Sequence, residues 1–302
     1  MRSLFLIFLV TALLAAAVAP ARAQDVPGTE NDPYVEQYDN GSLNWGEGLV
    51  TATGVGTAPP DAVSRSQARA MALRAATVVA RRNLLEIIKG VQIDATTTVR
   101  NYMVEDDAVA SKVQGFLQNS QVLDVAHMSD GSIEVTVGIQ LRGDVAETII
   151  PPTSFSRVPV ASVESAPPST VIVDPETLAV PPARDVAPGN TYTGLLVDAK
   201  GLDVRPAMSP RIFDQDGNEV YGSASVAREF AIQQGMAGYA KDIYKATLND
   251  RIASKPIVVK AIEVTGKAKT DLVISNEDAA RVRRAPGSGT FLEQCRVMIV
   301  LD

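Results

Sequence analysis

Residues 48–56 read GLVTATGVG, are followed by Pro59-Pro60, and lead into a run in which Ala72, Ala76, Ala80, Leu84 and Ile87 recur every three or four positions. The first piece alternates well enough to form a strand, which the paired prolines stop. The second predicts a helix. Ser64 and Gln67 stand at capping-box spacing before it, and Gly90 ends it. With so many alanines on its buried face, this helix can lie close to whatever it covers, which suits a flat sheet. A strand paired with a closely packed helix sets the fold class as α+β.

Working outward, Val91 to Tyr102 is rich in Val, Ile and Thr and reads as a long strand. Asp106 to Leu117 follows as a short helix. Gln121 to Met128 and Ser132 to Leu141 flank Ser129, Asp130 and Gly131, the pattern of a β-hairpin. An antiparallel sheet covered on one side by two helices would bury all of these apolar faces, giving a first domain over residues 47–150. Residues 24–46 are polar and aperiodic and are expected to be a flexible segment.

Residues 151–190 hold nine of the chain's 18 prolines, all between Pro151 and Pro188, and read as an extended linker. A second α+β domain is expected over 191–302. Its strands are Tyr192 to Ala199, Arg211 to Phe213, Glu219 to Gly222, Pro256 to Thr265, Thr270 to Ile274 and Cys295 to Leu301, and a short helix opens near Asn276. Ser225 to Leu248 is mostly helix formers, with Gly235 and Gly238 as weak points.

At the start, Arg2, the apolar run Leu4 to Val18 and Ala21-Arg22-Ala23 form the pattern of a signal peptide cleaved after residue 23. The run is too short for a membrane anchor, which needs roughly 20 residues. The expected location is the periplasm or the outer-membrane periphery. Cleavage leaves 26 basic against 35 acidic side chains, which argues against nucleic acid or anionic lipid as the main partner. The single cysteine, Cys295, can form no internal disulfide and lies far from the position of a lipid-bearing residue.

In the first domain, the run from Ala52 to Pro60, then Ala68-Arg69-Ala70, Asn83-Leu84-Leu85-Glu86, Gly90 to Asp94, Thr96-Thr97-Thr98 and Gly131 to Val137, resembles the Lpp-type twenty-kilodalton lipoprotein family of the bacterial outer membrane. That family includes flagellar basal-body accessory proteins such as FlgP, and the first domain of FlgT is similar. The resemblance covers about residues 47–145. It implies a small α+β domain that associates side by side, often into rings around an envelope machine. The family's lipid-bearing cysteine is missing, so no lipid anchor is expected.

Few residues suggest chemistry. His127 is the only histidine and has no Gly-x-Ser-x-Gly elbow to serve, so a structural or surface role is favoured over catalysis. Asp214, Asp216, Asn218 and Glu219 invite a calcium reading, but their spacing fails the EF-hand rule and a tight turn explains them better. Gly54 and Gly56 run into prolines instead of a helix, so a phosphate loop is not indicated. Cys295 opens an apolar run and reads as a buried thiol. No catalytic, cofactor-binding or metal residue is therefore assigned, and no cofactor. The expected function is a non-catalytic exported envelope protein that assembles with itself or related envelope proteins, with a flagellar accessory role as one form of this. The alternative is a periplasmic ligand-binding protein or hydrolase with its pocket in the second domain near Asp198, Arg205 or Gly235 to Tyr239.

Overall fold

The computed structural model describes residues 33–151, 155 and 191–302. The expected signal peptide, residues 24–32 and almost all of the expected linker lie outside the described residues. The fold is α+β, with an antiparallel sheet and its helices in the N-terminal part and a second region from residue 194 onward.

The first sheet has strands β1 (Val35–Tyr38), β2 (Gly41–Asn44), β3 (Leu49–Gly56), β4 (Gln121–His127) and β5 (Ile133–Gln140), ordered β1-β2-β3-β5-β4 and antiparallel throughout. Helix α1 (Arg65–Gly90) lies across β3 and β5. Ser64 Oγ accepts from Gln67 N at 3.1 Å, and Gln67 Oε1 accepts from Val63 N at 3.0 Å, so both residues of the expected capping box close the helix start. Ala72, Ala76, Ala80 and Leu84 are fully buried. They sit so close to β3 that a Cβ on Gly54 would overlap the Ala76 and Ala80 backbone, and one on Gly56 that of Ala72 and Ala76. Asn83 Nδ2 donates to Thr53 O at 2.7 Å and ties the helix to the strand. The other sheet face carries Ser42, Thr51, Thr53, Glu134 and Thr136, as an antiparallel sheet open on one side should.

Two expectations fail here. Val91 to Tyr102 is not a strand. Asp94 Oδ1 accepts from Thr96 N, Thr97 N and Thr96 Oγ1, and Thr98 then caps helix α2 (Val99–Glu105) by accepting from Asn101 N. These local side-chain bonds offer the backbone a better alternative than a ladder and override β propensity. Helix α3 (Asp107–Gln118) follows, capped by Asp106. Nor are residues 33–46 flexible. They form the β1–β2 hairpin, held by fully buried Leu43 and nearly buried Trp45, whose Nε1 donates to Glu36 Oε2 at 3.1 Å.

After β5, helix α4 (Asp144–Ile149) completes the first lobe. The second contains β6 (Gly194–Asp198), β7 (Ile212–Phe213), β8 (Glu219–Tyr221), α5 (Arg228–Gln234), β9 (Gly238–Ala240), α6 (Ile243–Thr247), β10 (Pro256–Thr265), β11 (Asp271–Ile274), α7 (Asn276–Arg284), α8 (Ser288–Glu293) and β12 (Val297–Val300). Its seven-stranded sheet runs β8-β7-β11-β10-β6-β12-β9. Strand β6 is parallel to both its neighbours, and its apolar run GLLV is buried on both faces, as is β12. The expected helix over 225–248 is broken in two, because α5 stops at Gly235, in the left-handed region at φ 79°, and Gly238 to Ala240 pairs with β12.

Both lobes contribute to one hydrophobic core. The loop misread as a strand is the bracket between them: Met208 N and Ser209 N donate to the carbonyls of Gln92 and Ile93, and Ala268 N to that of Ala95. At the opposite end Pro33 bridges to Ala240, Tyr34 N donates to Tyr239 O, and Trp45 meets the Tyr239 ring edge-on at 5.5 Å. Gly54→Ala should therefore cost about 3 kcal/mol in urea denaturation, since the clashing atoms are backbone. Gly115→Ala, on α3 with open space around it, should instead stabilise by about 0.5–1 kcal/mol.

Candidate functional site

The structure scatters the residues singled out from the sequence. His127 is exposed on β4 opposite Ile133. Cys295 is completely buried, and burial pushes its thiol up to about 11, against smaller lowering contributions from Tyr221 and Arg251. Asp214 accepts from Asp216 N, Asn218 N and Asn218 Nδ2 and from Arg283 Nη1 at 2.9 Å, so the acidic stretch is a closed turn whose carboxylate is already engaged. Burial alone would raise that carboxyl, but the bonds from Asn218 and Arg283 hold it below its ordinary value. Asp198 accepts from Lys200 N in its own turn, and Arg205 is exposed with its N–H on Lys269 O. Asp271, almost fully buried, is raised by burial and pulled back by Arg211, which binds it at 2.7 and 3.0 Å. Among the described residues no group of three or more His, Cys, Asp or Glu could hold a metal ion.

Two features remain. The first is the edge strand β4, which pairs only with β5 among the described residues. Val122, Leu123, Val125 and Met128 are exposed along and just beyond it, and a bulge interrupts its register between Val122 and Asp124.

The second is a cleft of about 420 Å³ between the lobes. The first lobe supplies Glu47 and Arg142. Arg142 follows β5 and is held by its Nη2 bond to Gly46 O at 2.7 Å. The second lobe supplies Gln234, Lys245, Asn249, Asp250 and Arg251 over a floor of Gly238 and Met298. Arg251 is locked by backbone carbonyls: Nε donates to Cys295 O at 2.9 Å, Nη1 to Gln234 O at 2.8 Å, and Nη2 to Gly235 O. Burial lowers its guanidinium below the ordinary value, and the nearby Arg142 charge works in the same direction, against Tyr221 and Cys295. Of the expected Gly235 to Tyr239 segment, Gly238 and Tyr239 line this cleft, while Asp198 and Arg205 do not. Arg142 and Arg251 escaped the sequence reading because nothing local marks either one.

Residues 194–302 match the family model described as Treponema pallidum Tp0624, second domain. The match begins on the first residue of β6 and takes in the whole seven-stranded sheet. Among curated proteins none matches the chain. The Tp0624-like region thus carries Arg251, Lys245 and Asn249, whereas Glu47 and Arg142 come from outside it.

Two outcomes follow. A carboxyl depressed in the fold stabilises above its unfolded value of about 4, and that stability is lost as pH falls through the lower folded value. Asp214→Asn should therefore be less stable than wild type at pH 7, with the difference in urea midpoints narrowing below about pH 4. Cys295 should resist a thiol-specific disulfide reagent in native protein and react only at the rate of global unfolding.

Proposed function

We propose that the chain is a non-catalytic exported envelope protein, an assembly or scaffolding component of the periplasm or outer-membrane periphery that joins copies of itself or related envelope proteins. The observation that carries this reading is the β4 edge. Seven residues end the first sheet with an exposed row of apolar side chains, and edge lysines or prolines, which block strand addition, do not occur in Gln121 to His127. Backbone groups at such an edge gain partners when another strand is added, and the flanking apolar side chains lose water contact at the same time.

Three other features support it. The resemblance of residues 47–145 to the Lpp-type family implies side-by-side association, with a flagellar basal-body accessory role as its most specific form. The sequence pattern of residues 1–23 is that of an export signal. Three of the side chains that could do chemistry are also committed elsewhere: Asp214 and Asp271 to arginines, and Cys295 to the interior. No helix among the described residues is long and apolar enough to cross a membrane.

Size-exclusion chromatography with light scattering on the mature protein should show concentration-dependent oligomers. Val125→Lys should return the monomer without lowering the melting temperature, since Val125 is 37 % exposed. A wild-type monomer at high concentration, with no envelope protein recovered by crosslinking, would overturn the reading.

A further inference from the structure

We propose that the interlobe cleft is a binding site for a small molecule bearing an oxyanion, a phosphate or a carboxylate, that is clamped between Arg142 of the first lobe and the Arg251 and Lys245 side of the second. This goes beyond assembly, since a ligand held there touches both lobes at once. The volume of about 420 Å³ falls in the range of small-molecule sites.

The charge pattern points to the ligand's sign. Three basic side chains, Arg142, Lys245 and Arg251, line the cleft against two acidic ones, Glu47 and Asp250. Neither arginine forms a salt bridge among the described residues, although five other arginines of the chain do. Three of the five N–H groups of the Arg251 guanidinium donate to neutral carbonyls, which orient it without cancelling its charge. Arg142 uses one bond, to Gly46 O, and is half-buried. Burial disfavours both guanidinium charges and that of Arg142 works against that of Arg251, a cost that Glu47 offsets in part at Arg142 and that an anion lying between them would offset further. The Gln234 and Asn249 amides and the exposed Lys245 provide further polar groups around the mouth. Asn249 Oδ1 already accepts from Arg251 N, which leaves its NH₂ as a donor.

The test is isothermal titration calorimetry of the full mature chain with inorganic phosphate, pyrophosphate and citrate at low ionic strength, where such contacts are least screened. Saturable binding of at least one probe is expected. Phosphate or pyrophosphate alone would identify the group as phosphate, citrate alone as carboxylate, and either outcome supports the site. Arg142→Gln should weaken binding at least ~10-fold, because it removes the first lobe's only positive charge on the ligand. Asp250→Asn should strengthen it by removing a repelling charge, a gain that damage to the fold would not produce. Where Arg142→Gln melts below the assay temperature, Lys245→Gln takes its place with the same expected direction. No saturable binding of any probe, or affinities unmoved by these substitutions, would overturn the proposal.

Discussion

Backbone meets backbone where α1 crosses β3, and the first lobe is organised around that contact. Ala72, Ala76 and Ala80 bring no side chain long enough to hold the helix away, and Gly54 and Gly56 offer no Cβ to resist it. At this distance dispersion and close packing replace the interlocking of large side chains. The helix axis can then hardly slide, since Asn83 reaches the Thr53 carbonyl from one side and Ile87 lies against Gly41 on the other. With α1 fixed, the residues after Gly90 are delivered to the second lobe, where the Gln92, Ile93 and Ala95 carbonyls receive their donors. One close approach within the first lobe thus positions the bracket that joins it to the second.

Much of this was legible in the residues. The alanine spacing, the Ser64 and Gln67 cap, and the hairpin at Asp130 and Gly131 are local patterns with local causes, and each element lies where its pattern predicts within a few residues. Legibility ended where distant chain decided the outcome. The polar segment before Trp45 becomes a hairpin because Tyr239 waits to receive the indole, and no periodicity around residue 40 announces a partner from the second lobe. The Val-Ile-Thr run after Gly90 had strand composition, but Asp94 and Thr98 hold side-chain oxygens at the spacings that close a turn and open a helix. The cleft was the least visible feature. Its two arginines lie on different lobes, and what distinguishes them is that neither forms a salt bridge among the described residues, a property of three-dimensional surroundings. The Gly235 to Tyr239 segment was the one hint, flagged by its glycines alone.

The two sheets treat their edges in opposite ways. In the second, the β9 side is sealed by Pro33 and Tyr34, so the sheet ends on a proline that cannot donate. In the first, β4 has no second strand partner among the described residues and is apolar apart from Asp124 and the two polar ends of the strand. A chain exposing such a strand runs a risk of indiscriminate association, which the bulge between Val122 and Asp124 lessens by bending the edge. Arg142 lines both the cleft and a hollow beside Gln121 and Leu123 of β4, so the two features adjoin one another.

Ala240 receives both extremities of the described chain: Pro33 bridges to it from one side, and Leu301 N donates to its carbonyl from the other at 2.9 Å. The described part of the polypeptide therefore approaches a closed ring, with its first and last segments fastened at a single residue. During synthesis the second sheet must wait for β12 before that closure can form, so a contact involving Pro33 is completed only after about 270 further residues have been added. A short peptide joining the extremities, with new ends opened in the proline-rich stretch, would preserve every strand pairing described above.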